Sequence, residues 1–359
     1  MPVRAANAVD DAECLSCHGD KAAFETTAHR LTSQPPTRSA IDGSFAPVEN
    51  ILWTSDPRLH FRMDSTAAGF TEAAVVGHDR DSIFRVERIA LVIGSGRKGQ
   101  SYAYRRADST FYQLPVSYWR GLGWINSPGY RDGTANFSRP IAPRCVECHA
   151  SSMQSMPGKA TNRYDLTQSI VGITCETCHG SGRAHSARER SPMRRLFAAV
   201  LPRAIIDPAR LTRDRQLDEC ALCHGGIGTL RTPAFTYLPG QPLADHLTRP
   251  PSRPNEDIDV HGNQVALLER SACFRASGMT CATCHDVHRP QHDIAEISGR
   301  CLTCHTVQSC GLYPKQGNAL VGRCVDCHMP MLPSNTIVSD FKGREVQAQV
   351  RTHWINVYR

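Results

Sequence analysis

Seven copies of the pattern Cys-Xaa-Xaa-Cys-His constrain this chain of 359 residues more than any other feature. In chain order, motifs 1 to 7 are Cys14–Cys17–His18, Cys145–Cys148–His149, Cys175–Cys178–His179, Cys220–Cys223–His224, Cys281–Cys284–His285, Cys301–Cys304–His305 and Cys324–Cys327–His328. In such a motif, two thiols bond covalently to a haem and the adjoining imidazole becomes the proximal iron ligand. Zinc sites do not require a histidine after every second cysteine. The pattern therefore predicts seven covalent haems c, numbered here by motif.

This density of haem sites determines which fold we expect. One haem for about every 51 residues leaves too little chain for an ordinary hydrophobic core around each. Because the macrocycles would supply much of the buried apolar surface, we expect a mainly α-helical and irregular multihaem fold. A small antiparallel β unit is expected in the N-terminal third, where residues 85–93, 101–105 and 110–116 are rich in β-branched and aromatic side chains.

The motifs are spread unevenly, and residues 19–144 contain none. We therefore predict an N-terminal segment for haem 1 (1–30), a haem-free β-containing region (31–143) and a six-haem domain (144–359). Within the haem-free region, Gly94, Gly96 and Gly99 match the GxGxxG pattern of dinucleotide sites. A strand-like sequence follows where such a site needs a helix, so we interpret these glycines as a hairpin turn.

The sixth ligand of each iron decides whether a haem only carries electrons or also binds substrate. Nine histidines lie outside the motifs. The distal candidates favoured by their positions are His29, His60, His185, His261, His288 and His353. For His29, a helix running on from His18 would span the interval in about three turns. The weaker candidates, in polar stretches, are His78, His246 and His292. A seventh convincing histidine is missing, and the methionines that could substitute are Met63, Met153, Met156, Met279 and Met329.

Two cysteines, Cys273 and Cys310, lie outside the motifs. In an oxidising compartment a left-over pair most often forms a disulfide, which is the interpretation we prefer. The alternative is a free thiol beside a haem.

Charge and attachment chemistry bear on location and partners. The formal charge is +7. Seven haems with ionised propionates would shift it by about −7, which argues against nucleic-acid binding. Thioether attachment takes place outside the bacterial cytoplasm, so we expect a periplasmic or extracellular protein. Residues 1–10 lack the apolar core of a signal peptide, so we expect a mature or truncated form. No transmembrane helix is expected.

Three segments resemble the multihaem cytochromes related to the nitrifier tetrahaem cytochrome, hydroxylamine oxidoreductase and octahaem tetrathionate reductase. They are residues 175–185 (CETCHGSGRAH), 281–288 (CATCHDVH) and 324–330 (CVDCHMP). The resemblance covers residues 145–330 and implies haems stacked in parallel and perpendicular pairs, with His185 offered to a neighbouring haem. Pentahaem nitrite reductases of this lineage carry a CxxCK motif. All seven motifs here end in histidine, which argues against that activity.

We therefore predict a heptahaem cytochrome that carries electrons along closely packed, mostly bis-histidine haems, rather than an enzyme. Its expected partners are redox proteins, among them other cytochromes. One alternative is an oxidoreductase that acts on a small nitrogen or sulfur compound at a haem with an open distal position. Another is the subunit of a conducting filament, which would self-associate through haem–haem contacts.

Overall fold

Strands and helices contribute almost equally to the computed structural model, which describes residues 8–77, 82–193, 203–250 and 257–358. Strands account for 28% and helices for 27% of the fold. The prediction of a mainly α-helical fold is therefore wrong. Residues 31–143 contain no motif, so protein side chains must supply that core, and a large sheet does so.

The sheet is antiparallel and has the order β2-β3-β4-β5-β6-β7-β8, with β1 paired to β5. Its strands are β1 (Ser33–Gln34), β2 (Ile51–Trp53), β3 (Leu59–Thr66), β4 (Gly69–Val76), β5 (Ser82–Ile93), β6 (Gly99–Arg105), β7 (Phe111–Trp119) and β8 (Gly123–Asn126). The three predicted strands are confirmed as β5, β6 and β7, but the sheet is far larger than the small unit expected. The predicted hairpin turn is confirmed too, because β5 pairs with β6 across Gly94 and Gly96, both at positive φ.

The inner face of the sheet forms the largest apolar core. Alternate residues of a strand point to the same face. Accordingly, Phe61 and Met63 of β3 and Tyr102 and Tyr104 of β6 are all buried there. The sheet is nearly closed. Met63, a substitute distal ligand by sequence, is thus a packing residue of this core.

Glu72 is a charged residue inside this apolar core. Its carboxyl is fully buried on β4, and Oε1 accepts a hydrogen bond of 3.0 Å from the Val116 N–H. Oε2 has no hydrogen-bond partner in the described part of the chain. Burial raises the pKa of Glu72 well above its usual value, and the bond from Val116 offsets only part of this rise. The folded chain therefore holds this carboxyl as the neutral acid.

Glu72→Gln is expected to remove a pH dependence of stability. Above the usual glutamate pKa, the unfolded chain releases a proton that the folded chain keeps, so rising pH favours unfolding. The variant should match the parent protein near pH 4 and be more stable at pH 8, by about 1–3 kcal/mol. Thermal unfolding across this range measures the difference, with the exposed Glu49→Gln as the control. Parallel pH profiles for parent and Glu72→Gln would contradict the expectation.

The helices are short, and most of them carry or adjoin a motif. They are α1 (Asp11–Leu15), α2 (Pro143–Glu147), α3 (Cys175–His179), α4 (Arg183–Glu189), α5 (Arg213–His224), α6 (Leu243–His246), α7 (Gln264–Glu269), α8 (Ala272–Arg275), α9 (Ile294–Cys301), α10 (Tyr313–Gln316) and α11 (Cys324–His328). A 3-10 helix occupies Gly19–Thr26, and shorter 3-10 segments occupy Pro208–Arg210, Cys281–Thr283, Val307–Ser309 and Gly317–Leu320. Within the described ranges, every helix is too short or too polar to cross a bilayer.

Further hairpins lie among the motifs, where the sequence predicted no strands. They are formed by β9 (Ala150–Ser155) with β10 (Tyr164–Val171), β11 (Thr229–Leu230) with β12 (Leu247–Thr248), and β13 (Met331–Phe341) with β14 (Arg344–Arg351). The hairpin β13–β14 packs on the sheet, where Asn126 O accepts from the Ser339 hydroxyl at 2.8 Å. This hairpin brings the C-terminal tail back from motif 7 toward the earlier motifs.

The outer face of the sheet packs against motif 2. Leu91, Ala103 and Phe111 share one buried cluster with Val146 of α2 and Met153 of β9. Met153, another substitute distal ligand by sequence, is thus also a packing residue. The sheet thereby provides a rigid support for the first of the clustered motifs.

Candidate haem sites

Most motifs form a single helical turn, which places the two cysteines and the histidine on one face. The amide of His18 donates to Cys14 O, that of His285 to Cys281 O and that of His305 to Cys301 O, each at 3.0 Å. Residues i, i+3 and i+4 of a helical turn share one side. The turn therefore presents two sulfur atoms and one imidazole to the same flat ligand, as covalent haem attachment requires.

Main-chain carbonyls orient two of the motif imidazoles. His179 Nδ1 lies 3.0 Å from Ile206 O, and His328 Nδ1 lies 2.9 Å from Asn356 O. A carbonyl can only accept, so Nδ1 carries the proton and Nε2 keeps its lone pair. This is the tautomer that an axial ligand needs, and the hydrogen bond fixes the plane of the ring.

Side chains orient two more imidazoles. The Nδ1 atom of His149 is 2.8 Å from Thr32 Oγ1 and 3.3 Å from Thr32 O, which ties motif 2 to the chain just before β1. The Nδ1 atom of His224 is 3.3 Å from Gln264 Oε1. Neither Thr32 nor Gln264 has a sequence signal that marks it for this role, because ordinary polar residues also occupy such positions.

Four motif histidines face a histidine from elsewhere in the chain. The pairs, with their centroid distances, are His18 and His185 at 6.2 Å, His29 and His224 at 6.1 Å, His179 and His288 at 6.0 Å, and His285 and His353 at 6.2 Å. Two imidazoles on opposite sides of one metal, each bonded at about 2.0 Å, have centroids roughly 6 Å apart. These residues therefore fit a haem iron with two histidine ligands.

The protonation states of the paired histidines also suit iron binding. Burial, followed by the nearby His29, lowers the pKa of His224 to about 4. Burial, followed by the nearby His285, likewise lowers the pKa of His353 to about 4. Both imidazoles are therefore neutral at physiological pH, which is the form that binds a metal.

Besides the four paired histidines, a further favoured distal candidate, His261, lies near motif 2. Burial lowers the pKa of His149, and the neighbouring His261 lowers it further, while the hydrogen bond to Thr32 acts in the opposite direction. His261 is held by Asp259, whose Oδ1 accepts from the His261 N–H at 2.8 Å. It lies three residues before the first residue of α7, Gln264.

The path to His29 differs from the one expected. The helical segment that follows motif 1 is a 3-10 helix and ends at Thr26, so no continuous helix leads from His18 to His29. The backbone instead turns, and the His29 ring meets His224 of motif 4.

The structure places His60 and His246 in other roles. His60 lies within β3, where its buried ring packs on Trp53 at a centroid distance of 4.6 Å. His246 has both ring nitrogens engaged, since Nε2 lies 2.9 Å from Glu147 Oε1 and Nδ1 bonds to Thr232 Oγ1. His60 is therefore placed as a packing residue of the sheet, and His246 as a buried hydrogen-bonding residue.

Motifs 2, 6 and 7 have no such ring pair among the described residues, and for motif 2 the neighbouring histidine, His261, acts on His149 only electrostatically. Across the described ranges, no second histidine ring contacts His305 or His328. His292 is exposed, and His78 lies outside the described residues. The sequence left one motif without a distal histidine; with His60 packed in the sheet, two are left, the C-terminal motifs 6 and 7.

Cysteines of different motifs interact in pairs, which gives the motifs an order in space. The interacting thiols are Cys14 with Cys175, Cys148 with Cys223, Cys220 with Cys281, and Cys301 with Cys324. Weaker electrostatic contacts join Cys178 to Cys220 and Cys284 to Cys301. Motifs 1, 3, 4, 5, 6 and 7 therefore form a series, and motif 2 branches from motif 4.

The expected disulfide is not formed, since Cys273 and Cys310 are both free thiols. Cys273 lies on α8 close enough to Cys284 and Cys301 to affect both electrostatically. It is thus directed toward motifs 5 and 6 rather than toward Cys310, as in the alternative of a free thiol beside a haem site.

A buried polar cluster of Arg144, Glu147 and His246 holds motif 2 against motif 4. Arg144 donates to Glu147 Oε2 at 3.0 Å and also to the carbonyl oxygens of Leu222 and Ile227, which lie beside motif 4. Burial favours the neutral form of Glu147. The hydrogen bonds from His246 and a main-chain N–H, together with Arg144, nevertheless keep its pKa below the usual value. The sequence does not reveal this cluster, because its members are far apart along the chain.

A family model of c-type cytochromes matches the part of the chain that holds motifs 2 and 3. The model is described as cytochrome c554 and c-prime, and it matches residues 131–180. No curated protein matches the chain. Among solved structures, an undecaheme cytochrome from the S-layer of Carboxydothermus ferrireducens is similar, with 14% identity and a TM-score of 0.43. The alignment covers 100% of this chain and 53% of that one, so this chain spans about half its length.

Proposed function

We propose that this chain, a multihaem c-type cytochrome, binds seven haems and carries electrons along them. The histidine pairs at 6.0–6.2 Å are the observation that carries the proposal. When bound, each haem supplies a one-electron iron couple. An iron held by two imidazoles has no free position for substrate, which favours electron transfer over catalysis. His18, His179, His224 and His285 would be the proximal ligands of these four sites, and His185, His288, His29 and His353 the distal ligands.

The thiol contacts between motifs suggest the path of the electrons. Interacting cysteines place neighbouring haems close together, and electron transfer is fast only over short distances. The main route would run through haems 1, 3, 4, 5, 6 and 7, and haem 2 would exchange electrons with haem 4. Haem 4, bound at Cys220 and Cys223, would be the junction of this route. His261 would complete the site of haem 2 opposite His149.

Location and partners follow from the attachment chemistry. Thioether bonds to haem are made outside the bacterial cytoplasm, which supports a periplasmic or extracellular location. The partners of an electron carrier are proteins that deliver or accept electrons, among them other cytochromes. Haem 1, at one end of the series, and haem 7, at the other, are the proposed exchange points.

The haem count tests the proposal most directly. The intact denatured protein is expected to exceed the polypeptide mass by that of seven haems, because thioether bonds survive denaturation. The reduced protein should transfer electrons to a soluble cytochrome in stopped-flow mixing. A mass corresponding to fewer than seven haems, with unmodified thiols at any motif, would contradict the proposal.

A second candidate function rests on motifs 6 and 7, where no described histidine faces His305 or His328. A haem that lacks a second protein ligand can bind a small nitrogen or sulfur compound. Cyanide or nitric oxide is then expected to bind to at most two of the seven haems, with loss of high-spin features in the electron paramagnetic resonance spectrum. A fully low-spin spectrum that these ligands leave unchanged would exclude catalysis at these sites.

A further inference from the structure

Two hydrogen bonds hold the Gln264 side-chain amide in one orientation. One is to His224 of motif 4, and the other is to the loop that precedes α7. Gln264 is the first residue of α7, and its Nε2 donates to Val260 O at 3.3 Å. This bond directs the other end of the amide, Oε1, toward His224 Nδ1 at 3.3 Å. A flipped amide would place Oε1 against the Val260 carbonyl oxygen, so the unflipped amide presents its oxygen, an acceptor, to His224.

This acceptor differs in kind from those at motifs 3 and 7. There, the carbonyl oxygens of Ile206 and Asn356 accept from the histidine, and no substitution removes a main-chain carbonyl. At motif 4 the acceptor is a side chain, which a single substitution can weaken, remove or charge. A stronger acceptor at Nδ1 makes the imidazole a better electron donor to its metal and stabilises the ferric state.

Gln264 also lies where several motifs meet. Motif 4 contacts motif 2 through Cys223 and Cys148, and motif 5 through Cys220 and Cys281. His261, the distal candidate for haem 2, lies three residues before Gln264. The redox potential at motif 4 therefore affects electron flow along every branch.

We propose that Gln264 is a positioning residue that sets the redox potential of haem 4 through the Nδ1 atom of His224. The inference rests on the proposed function, since it requires a haem at motif 4. One side chain would then set the redox potential at the haem where the branch to haem 2 leaves the main series.

Two substitutions with opposite expected effects test this proposal. Gln264→Glu places a negatively charged acceptor at Nδ1 and is expected to shift one of the seven midpoint potentials to a lower value. Gln264→Leu removes the acceptor and should shift the same potential to a higher value. Potentiometric titration followed by visible spectroscopy measures these shifts. Gln216→Glu is the matched control, because Gln216 lies on α5 and its amide bonds to Leu211 O rather than to a histidine.

Several outcomes would overturn the proposal. It is wrong if both variants shift the potential in the same direction, since that indicates a general structural disturbance. It is also wrong if neither variant differs from Gln216→Glu while all seven haems are present by mass. If Gln264→Leu loses haem, the direction of the shift in Gln264→Glu decides the matter alone. A parent protein without haem at motif 4 would instead refute the proposed function.

Discussion

Replacing His353 with alanine is expected to convert one haem from a six-coordinate low-spin form into one that binds cyanide. The His353 ring faces His285 at 6.2 Å, and the strand β14 that delivers it ends at Arg351. Without this imidazole, the iron at motif 5 keeps only its proximal ligand. The variant should bind one more equivalent of cyanide than the parent protein and gain a high-spin signal in the electron paramagnetic resonance spectrum.

His60→Phe is the control for this experiment. The substitution keeps an aromatic ring against Trp53 on the sheet, so the spin state of every haem should be unchanged. If His60→Phe rather than His353→Ala opens a haem, the assignment of His353 is wrong. The same result would restore His60 as a distal ligand, as the sequence suggested.

Arg144→Met is expected to lower the free energy of unfolding by about 3–5 kcal/mol, because it removes the buried cation that pairs with Glu147 and leaves Oε2 of that carboxylate without its hydrogen bond. Both side chains are largely inaccessible, with 10% and 2% exposure. The hydrogen bonds from Arg144 to the carbonyl oxygens beside motif 4 would be lost as well. Thermal unfolding of the haem-loaded protein, followed by circular dichroism, measures the loss.

A double variant separates the charge from the packing. Arg144→Met combined with Glu147→Leu removes both charges and should recover part of the lost stability, because no unpaired buried charge remains. Arg58→Met, which breaks an exposed pair with Asp56, should leave the unfolding midpoint unchanged. Equal losses in Arg144→Met and Arg58→Met would show that the buried cluster does not stabilise the contact between motifs 2 and 4.

The fold could be predicted only where the pattern was local. Strands β5, β6 and β7 follow from β-branched and aromatic side chains, and the turn at Gly94 and Gly96 follows from the need for positive φ. The remaining strands of the sheet were missed, although Leu59, Phe61 and Met63 of β3 alternate with polar residues as in a half-buried strand. These strands are stabilised by neighbours such as Tyr104, which are distant in the chain. The hairpin β13–β14 was missed for the same reason.

The haem sites, too, were predictable only in their local part, the motif itself. A motif of five residues carries its own geometry, because one helical turn brings two sulfur atoms and an imidazole to one face. No local rule connects His29 to His224 or His353 to His285, since each pair is joined only when the backbone returns from elsewhere. The preference for a disulfide between Cys273 and Cys310 was wrong because it counted cysteines and had no information on their positions.

The sequence alone determined the cofactor chemistry of this protein, because the attachment motif is complete within five consecutive residues. Only the tertiary structure decided which histidines face each other, which motifs adjoin and that motif 4 is a junction. These properties depend on long-range contacts such as Gln264 with His224 and Arg144 with the carbonyl oxygens beside motif 4. Spacing along the chain does not encode such contacts, since they form only when the sheet and the hairpins fix the path of the backbone.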